Sequence, residues 1–185
     1  MRIGVTGSNG FIGRNLCFRL REEGFTDIVS VTRATDLNEL RGGLEGVDLV
    51  FHLAGVNRPR DPSEFRTGNA EFTQSLCAIL ATLPAPPTIV FASSTQARLD
   101  NEYGRSKRNA EEAVLAYADR TGAIARAVRL PNVFGKWSRP NYNSVVATFC
   151  YNIARNLPIT VNDPAAPLRL VYVDDVVANF LRFVQ

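Results

Sequence analysis

Histidine is almost missing from this 185-residue chain, which has one, His52, and cysteine is scarce, with three at Cys17, Cys77 and Cys150. The cysteines lack metal-ligand spacing, and a single histidine offers no cluster to complete one, so no metal ligands are assigned. All three cysteines fall in helix-like segments and read as buried free thiols of a reducing compartment, which makes the chain cytoplasmic. His52 closes an apolar strand and reads as a satisfied core residue, not an acid or ligand. Long hydrophobic runs are absent too. No stretch can span a bilayer, and nothing at the N-terminus resembles a signal peptide, because the first residues already form a strand. The formal net charge is only +3, with basic residues scattered and not gathered in a stripe, which argues against nucleic-acid binding. Internal repeats and low-complexity tracts are also lacking. What is present is 45% hydrophobic content at the size of one globular domain, enough for a sizeable core.

The informative segment is Val5-Thr6-Gly7-Ser8-Asn9-Gly10-Phe11-Ile12-Gly13, with three glycines at G-x-x-G-x-x-G spacing. It lies between an apolar strand, Arg2–Thr6, and an amphipathic helix in which Ile12, Leu16 and Leu20 recur at helical spacing until Gly24. Side-chain-free positions at such a turn let the backbone approach a pyrophosphate, and the helix N-terminus offers free N–H groups and a partial positive charge. By itself the triplet is also compatible with a turn that binds nothing. About 20 residues after Gly13, a second strand ends where a dinucleotide-binding unit meets the adenosine ribose. An acidic residue there would accept bonds from the 2′-OH. This chain has Arg33, which favours NADP(H) over NAD(H); the alternative is a solvated arginine at a strand end, with Asp36 close by.

Strands and helices alternate along the chain. Patterning predicts strands at Arg2–Thr6, Ile28–Thr32, Leu49–Leu53, Thr88–Ala92 and Ala123–Arg129, and helices at Phe11–Glu23, Asp61–Thr82 and Tyr103–Thr121. That order implies an α/β fold with a parallel sheet covered on both faces. Beyond Pro131 the pattern loosens into Lys136–Asn143, a helix at Ser144–Asn156, short strands near Ile159–Val161 and Leu168–Val173, and a helix capped by Asp174 and Asp175. Trp137, Tyr142 and Tyr151 read equally as stacking platforms for a base or sugar and as packing residues.

Tyr103-Gly104-Arg105-Ser106-Lys107 places a phenol and an ammonium at i and i+4, on one helix face. A free tyrosine has a pKa near ~10, and an adjacent positive charge would lower it toward useful proton exchange. Ser93-Ser94 ends the fourth strand, at the carboxyl edge where open α/β sheets bind ligands, so the Ser94 hydroxyl can hold a substrate oxygen beside Tyr103.

With these residues in this order, the chain resembles the extended short-chain dehydrogenase/reductases, the NAD-dependent epimerase/dehydratase family acting on nucleotide sugars. The resemblance runs through Thr6 to Gly13, Asp48, His52-Leu53-Ala54-Gly55, Asn69, Ser93-Ser94, Tyr103 to Lys107, Arg129 to Gly135 and Tyr172-Val173-Asp174-Asp175. His52 to Pro59 and Gly135 to Tyr151 are similar to the branch that reduces the 4-keto group of UDP-linked deoxy amino sugars for bacterial capsule and O-antigen. In that branch a zinc-containing cupin domain follows the reductase domain. The resemblance implies a Rossmann-type doubly wound sheet with the start of a substrate lobe, divided at 1–130 and 131–185.

The resemblance also implies roles. Gly7, Asn9, Gly10, Phe11, Ile12 and Gly13 match the pyrophosphate turn, Arg33 the 2′-phosphate contact, and Asp36 and Leu37 the pair beside the adenine. Leu53, Ala54, Gly55 and Asn69 match the adenosine and ribose side, and Ser93 and Pro131 match further cofactor contacts. Ser94, Tyr103 and Lys107 match the catalytic trio, with Tyr103 and Lys107 also touching the cofactor. Asn132 matches a position meeting the substrate diphosphate, and Asn141 and Asn143 are assigned to the same substrate. Two departures stand out: the stretch from Ser94 to Tyr103 is short for the family, and Leu168-Arg169 replaces its usual Arg-Asp, so Arg169 is given no diphosphate role.

The expectation is an NADPH-dependent reductase of a 4-keto UDP-sugar. Alternatives are an epimerase or dehydratase with tightly held NAD, and a non-catalytic NADP-sensing module, against which the intact trio argues. The chain is expected to be part of a longer protein, with exposed apolar faces that favour homo-oligomers.

Overall fold

The computed structural model describes residues 1–161, 163–165 and 167–184, without the side chains of 37 and 38. Five strands, β1 (Ile3–Thr6), β2 (Ile28–Val31), β3 (Leu49–His52), β4 (Thr88–Ser94) and β5 (Ala125–Leu130), form one sheet in the order β2-β1-β3-β4-β5. Every pairing is parallel, with Thr6 level with Val31 on one side and His52 on the other. The order reverses direction between β1 and β3, which opens a crevice at their carboxyl ends.

Helices cover both faces: α1 (Phe11–Glu22), α2 (Leu37–Gly43), α3 (Ser63–Phe65), α4 (Phe72–Leu80), α5 (Glu102–Thr121), α6 (Val145–Ile153) and α7 (Val173–Leu181). One core gathers Leu40 of α2, Leu44 just past its end, Leu76 and Leu80 of α4, and Val114 and Tyr117 of α5 against Val50, Ile89 and Phe91. The other packs Leu16 and Leu20 of α1 with Val176, Val177 and Phe180 of α7 against Ile3, Val5, Phe51 and Val90. Alternate residues of β3 thus enter opposite cores, so its run is apolar throughout.

The expected helix over Asp61–Thr82 is broken into α3, a wider π-helical segment at Arg66–Glu71, and α4. Patterning misses α2, which packs through Leu40, with Leu44 just past its end. After β5, β6 (Asn132–Phe134) pairs in parallel with β7 (Leu170–Tyr172) in a second, two-stranded sheet. Ile159–Val161 does not form the expected strand. Asp174 and Asp175 do not cap α7: Tyr172 is its N-cap, and both carboxylates lie inside the first turn, where they still favour the helix dipole. Asp174 also pairs with Lys136 at 3.3 Å. Although α7 follows the proposed division at 131, it returns to the main core.

Cys17 and Cys77 are buried, but Cys150 is exposed. The expectation fails there because α6 has no buried residue to seat it. Among the described residues, no helix is long and apolar enough to cross a membrane.

Candidate active site

The crevice between β1 and β3 is floored by the glycine turn. Gly7 has φ of +68°, and a Cβ there would come within 2.8 Å of the Ala54 nitrogen, so only glycine lets the turn lie against the loop after β3. A Cβ on Gly13 would sit 2.2 Å from the Gly7 carbonyl oxygen, which makes the tight entry into α1 depend on its absence. Gly10 is the N-cap of α1, with no side-chain cap and no acidic residue in the first turn. The leading N–H groups therefore meet neither a capping oxygen nor a repelling carboxylate, and the turn fits a pyrophosphate. Phe11 and Ile12 anchor α1 by packing on the second core, which leaves their backbone N–H groups at this end, while Asn9 is exposed at the tip. The Gly7 N–H donates to the Val31 carbonyl at 2.8 Å, so β2 ends beside the turn, with exposed Arg33 and Asp36 just beyond it. The side chain of Leu37 lies outside the described residues.

Ser94 ends β4, and its hydroxyl accepts the Gln96 N–H at 3.2 Å, starting a 3₁₀ turn over Thr95–Arg98. That turn accounts for the short connection to Tyr103. It folds back so closely that a Cβ on Gly104 would lie 2.3 Å from the Gln96 carbonyl oxygen, and Arg108 Nη1 donates to Ala97 O at 3.1 Å. Asn101 then caps α5, its Oδ1 accepting the Gly104 N–H at 2.6 Å. The result brings the half-buried Tyr103 phenol beside the Ser94 hydroxyl. Lys107, one turn further, is only 5% exposed. Its Nζ donates to Ala92 O at 3.1 Å, lies 4.8 Å from the Phe91 ring centre, and would be 3.2 Å from a Cβ on Gly55. Lys107 therefore reaches from α5 across β4 to the loop carrying Leu53, Ala54 and Gly55, joining the trio to the crevice.

The electrostatics differ from expectation. Burial raises the Tyr103 phenol above its ordinary pKa, with the Ser94 hydroxyl acting in the opposite direction. Lys107 does not lower it as expected, because its amine is turned to the Ala92 carbonyl and Phe91. Burial pushes Lys107 itself down to about 8, with the Glu111 carboxylate opposing that fall.

Other expected site residues are occupied with the protein. Asn69, in the π-helical segment, accepts the Val56 N–H at 2.8 Å and donates to Val56 O and Ser106 Oγ, both at 3.0 Å. It shapes the wall after Gly55 through its bonds to Val56. The Ser93 hydroxyl donates to Glu111 Oε1 at 2.5 Å, which turns it away from any ligand. Asn132 Nδ2 donates to Asn143 O at 3.2 Å, while its Oδ1 is buried without a partner. The Asn141 N–H donates to Thr148 Oγ1 at 2.9 Å. Among the described residues, no hydrogen bond joins these asparagines to the trio. Pro131 lines a separate apolar cleft of about 410 Å³ with Val128, Val171, Val176 and Phe180.

Two supporting networks escape the sequence reading. The Thr73 hydroxyl donates to Asn69 O at 2.7 Å, so it must accept from His52 Nε2 at 2.8 Å. His52 Nδ1 is then an acceptor for the Thr6 hydroxyl at 2.7 Å, and Thr6 Oγ1 accepts the Ala54 N–H at 3.2 Å. His52 is thus a neutral core histidine, as expected, but it ties the ends of β1 and β3 to the Asn69 clasp. The second network is Glu111 with Ser93 and Arg129. Its signal was a third polar residue at four-residue spacing, after Tyr103 and Lys107. Trp137 packs edge-on to Phe18 with Arg14 4.8 Å from its ring centre, and Arg155 covers Tyr151, so both rings meet protein groups.

The NAD dependent epimerase/dehydratase family model matches residues 3–185. Over 182 residues the chain is 50% identical to the UDP-2-acetamido-2,6-beta-L-arabino-hexul-4-ose reductase of Pseudomonas aeruginosa, covering 98% of this chain and 49% of that enzyme. The capsular polysaccharide assembling protein CapF from Staphylococcus aureus superposes with a TM-score of 0.87 at 43% identity, over 100% of this chain and 49% of CapF. MoeE5, solved with UDP-glucose and NAD, superposes at 0.85 with 28% identity, over 98% of this chain and 71% of MoeE5. The chain thus spans about half the length of the first two. A glycine cradle at the switch point, a Ser-Tyr-Lys trio over it and a match through nearly every residue place this chain in the NAD dependent epimerase/dehydratase family.

Proposed function

We propose that this chain is the cofactor-binding part of an NADPH-dependent reductase acting on the 4-keto group of a UDP-linked deoxy amino sugar used for bacterial surface polysaccharide. The observation that carries this reading is the convergence of Ser94 at the end of β4 with Tyr103 and Lys107, one turn apart on α5, where the Lys107 amine abuts Gly55 of the crevice. The 50% identity to a reductase of such a sugar supports the substrate class. A bound nicotinamide would supply the hydride. Gly7, Gly10 and Gly13 admit the pyrophosphate to the α1 N-terminus, and Lys107 holds the nicotinamide ribose. Ser94 orients the substrate oxygen and donates a hydrogen bond to it as negative charge develops, and Tyr103 delivers the proton that completes the alcohol. Asn132 at the start of β6, and Asn141 and Asn143 in the segment before α6, are assigned to the sugar nucleotide.

Arg33 supports a preference for NADPH. Because it is exposed just past β2, its guanidinium is open to a 2′-phosphate at the ribose end of the crevice. Calorimetry is expected to show NADPH binding about tenfold or more tighter than NADH, with the difference lost in Arg33→Ala; equal wild-type affinities would remove the preference. Incubation with NADPH and candidate 4-keto UDP-sugars, with the product identified by NMR, tests the reaction. Tightly held NAD that returns oxidised after each turnover would indicate an epimerase or dehydratase instead.

A further inference from the structure

We propose that Glu111 is a positioning residue for this chemistry: its carboxylate ties the end of β4 to α5 and β5 and supplies the counter-charge that keeps the buried Lys107 amine an ammonium. Its catalytic consequence rests on the reductase reading above.

Glu111 is only 7% exposed, and a carboxylate so placed must be paired. Arg129 of β5 meets it in a fork, Nε to Oε1 at 2.9 Å and Nη2 to Oε2 at 2.6 Å, and the Ser93 hydroxyl adds 2.5 Å to Oε1. These bonds hold the backbone immediately before Ser94 against the helix that carries Tyr103 and Lys107. Tyr103, Lys107 and Glu111 recur at four-residue spacing on one helix face. Among the described residues, Lys107 Nζ otherwise meets a carbonyl and an aromatic face, a weak setting for a buried cation. The titratable groups around it are Tyr103 and Glu111 on α5, His52 on β3, and Arg129 on β5 behind Glu111. Tyr103 is kept protonated by burial, and His52 is kept neutral, with a pKa lowered to about 3. Glu111 is therefore the anion on the Lys107 side of α5, one turn along and beyond ion-pair distance, and it opposes the fall of the amine's pKa to about 8.

Lys107 and Lys136 are the only two lysines in the chain, so ¹³Cε-lysine NMR follows Lys107 directly, with surface Lys136 as an internal control. In Glu111→Gln the Lys107 titration midpoint is expected to fall by about one pH unit while Lys136 stays unchanged. Arg129→Gln should move Lys107 the other way, since Glu111 then lacks its competing cation; this variant keeps the test decisive if Glu111→Gln does not fold. Glu111→Asp should recover part of the wild-type midpoint. A folded Glu111→Gln chain with an unmoved Lys107, or an Arg129→Gln chain in which the midpoint falls, overturns the proposal. Where sugar reduction is measurable, its high-pH limb should move with the NMR midpoint. A clear NMR shift in a protein that reduces no UDP-sugar supports the counter-charge role and counts against the reductase reading alone.

Discussion

Tyr103 is the side chain on which the proposed chemistry turns, and its environment makes the phenol a proton donor. Burial raises its pKa, so it stays protonated at neutral pH. Tyr103→Phe removes the proton while leaving the glycine cradle intact, and is expected to lower turnover by ~10²–10⁴-fold with NADPH affinity nearly unchanged. Steady-state kinetics beside calorimetry checks this; most of the turnover surviving would assign the proton to another group. Lys107 should impose a different signature. Its ammonium is present below about 8 and lost above it, so activity that needs the charge should decline on the alkaline side with a midpoint near about 8. A flat profile through that range would dissociate Lys107 charge from turnover. His52 contributes to stability rather than rate. Its folded pKa of about 3 lies below the ordinary 6.5, so the unfolded chain binds the extra proton between these values. Stability should therefore fall as pH drops below 6.5, by about 1.4 kcal/mol per pH unit from this group, and urea unfolding of wild type against His52→Asn would measure it.

The turn between β1 and α1 was readable because its requirement is local: three positions must lack side chains, and glycine spacing records that directly. Gly13→Ala tests it. With the added carbon 2.2 Å from a backbone oxygen, the turn must move, at a cost of roughly 1–3 kcal/mol in stability. Cofactor binding is expected to disappear with it, and unchanged calorimetric affinity would show the approach to be unnecessary. α2 and the π-helical segment were not readable. α2 is only 7 residues long, too short to display a helical period, while the π-helical turn at Arg66–Glu71 places Asn69 against Val56, a partner thirteen residues away. No periodicity in the local chain encodes that demand.

Across the molecule, burial is uneven. The two sheet faces are densely covered, whereas α6 has no fully buried residue, and Ile153, Leu157, Ile159 and Leu168 are between 45% and 62% exposed. An apolar surface of this kind promotes association. Sedimentation of this chain is expected to show concentration-dependent self-association, weakened when Ile153 and Leu157 are replaced together by glutamate; a monomer at all concentrations would contradict it.

Alternation of apolar strands with amphipathic helices determined the layered parallel architecture, and the glycine spacing with Tyr103, Lys107 and Ser94 marked the ends of strands where a site would form. These are short-range properties, repeated every two or 3.6 residues or confined to one turn. Only the folded structure decided the orientation of the polar side chains. Ser93 and Ser94 are neighbours in the chain, yet one hydroxyl is taken by Glu111 and the other meets Tyr103. Asn69 is held by Val56 and Ser106, and the Lys107 amine by Ala92, because α5, β4 and the loop after β3 converge there. The same convergence buries the charges: residue type specifies which groups can titrate, but desolvation and the nearest counter-charge, both set by packing of distant segments, specify where they do.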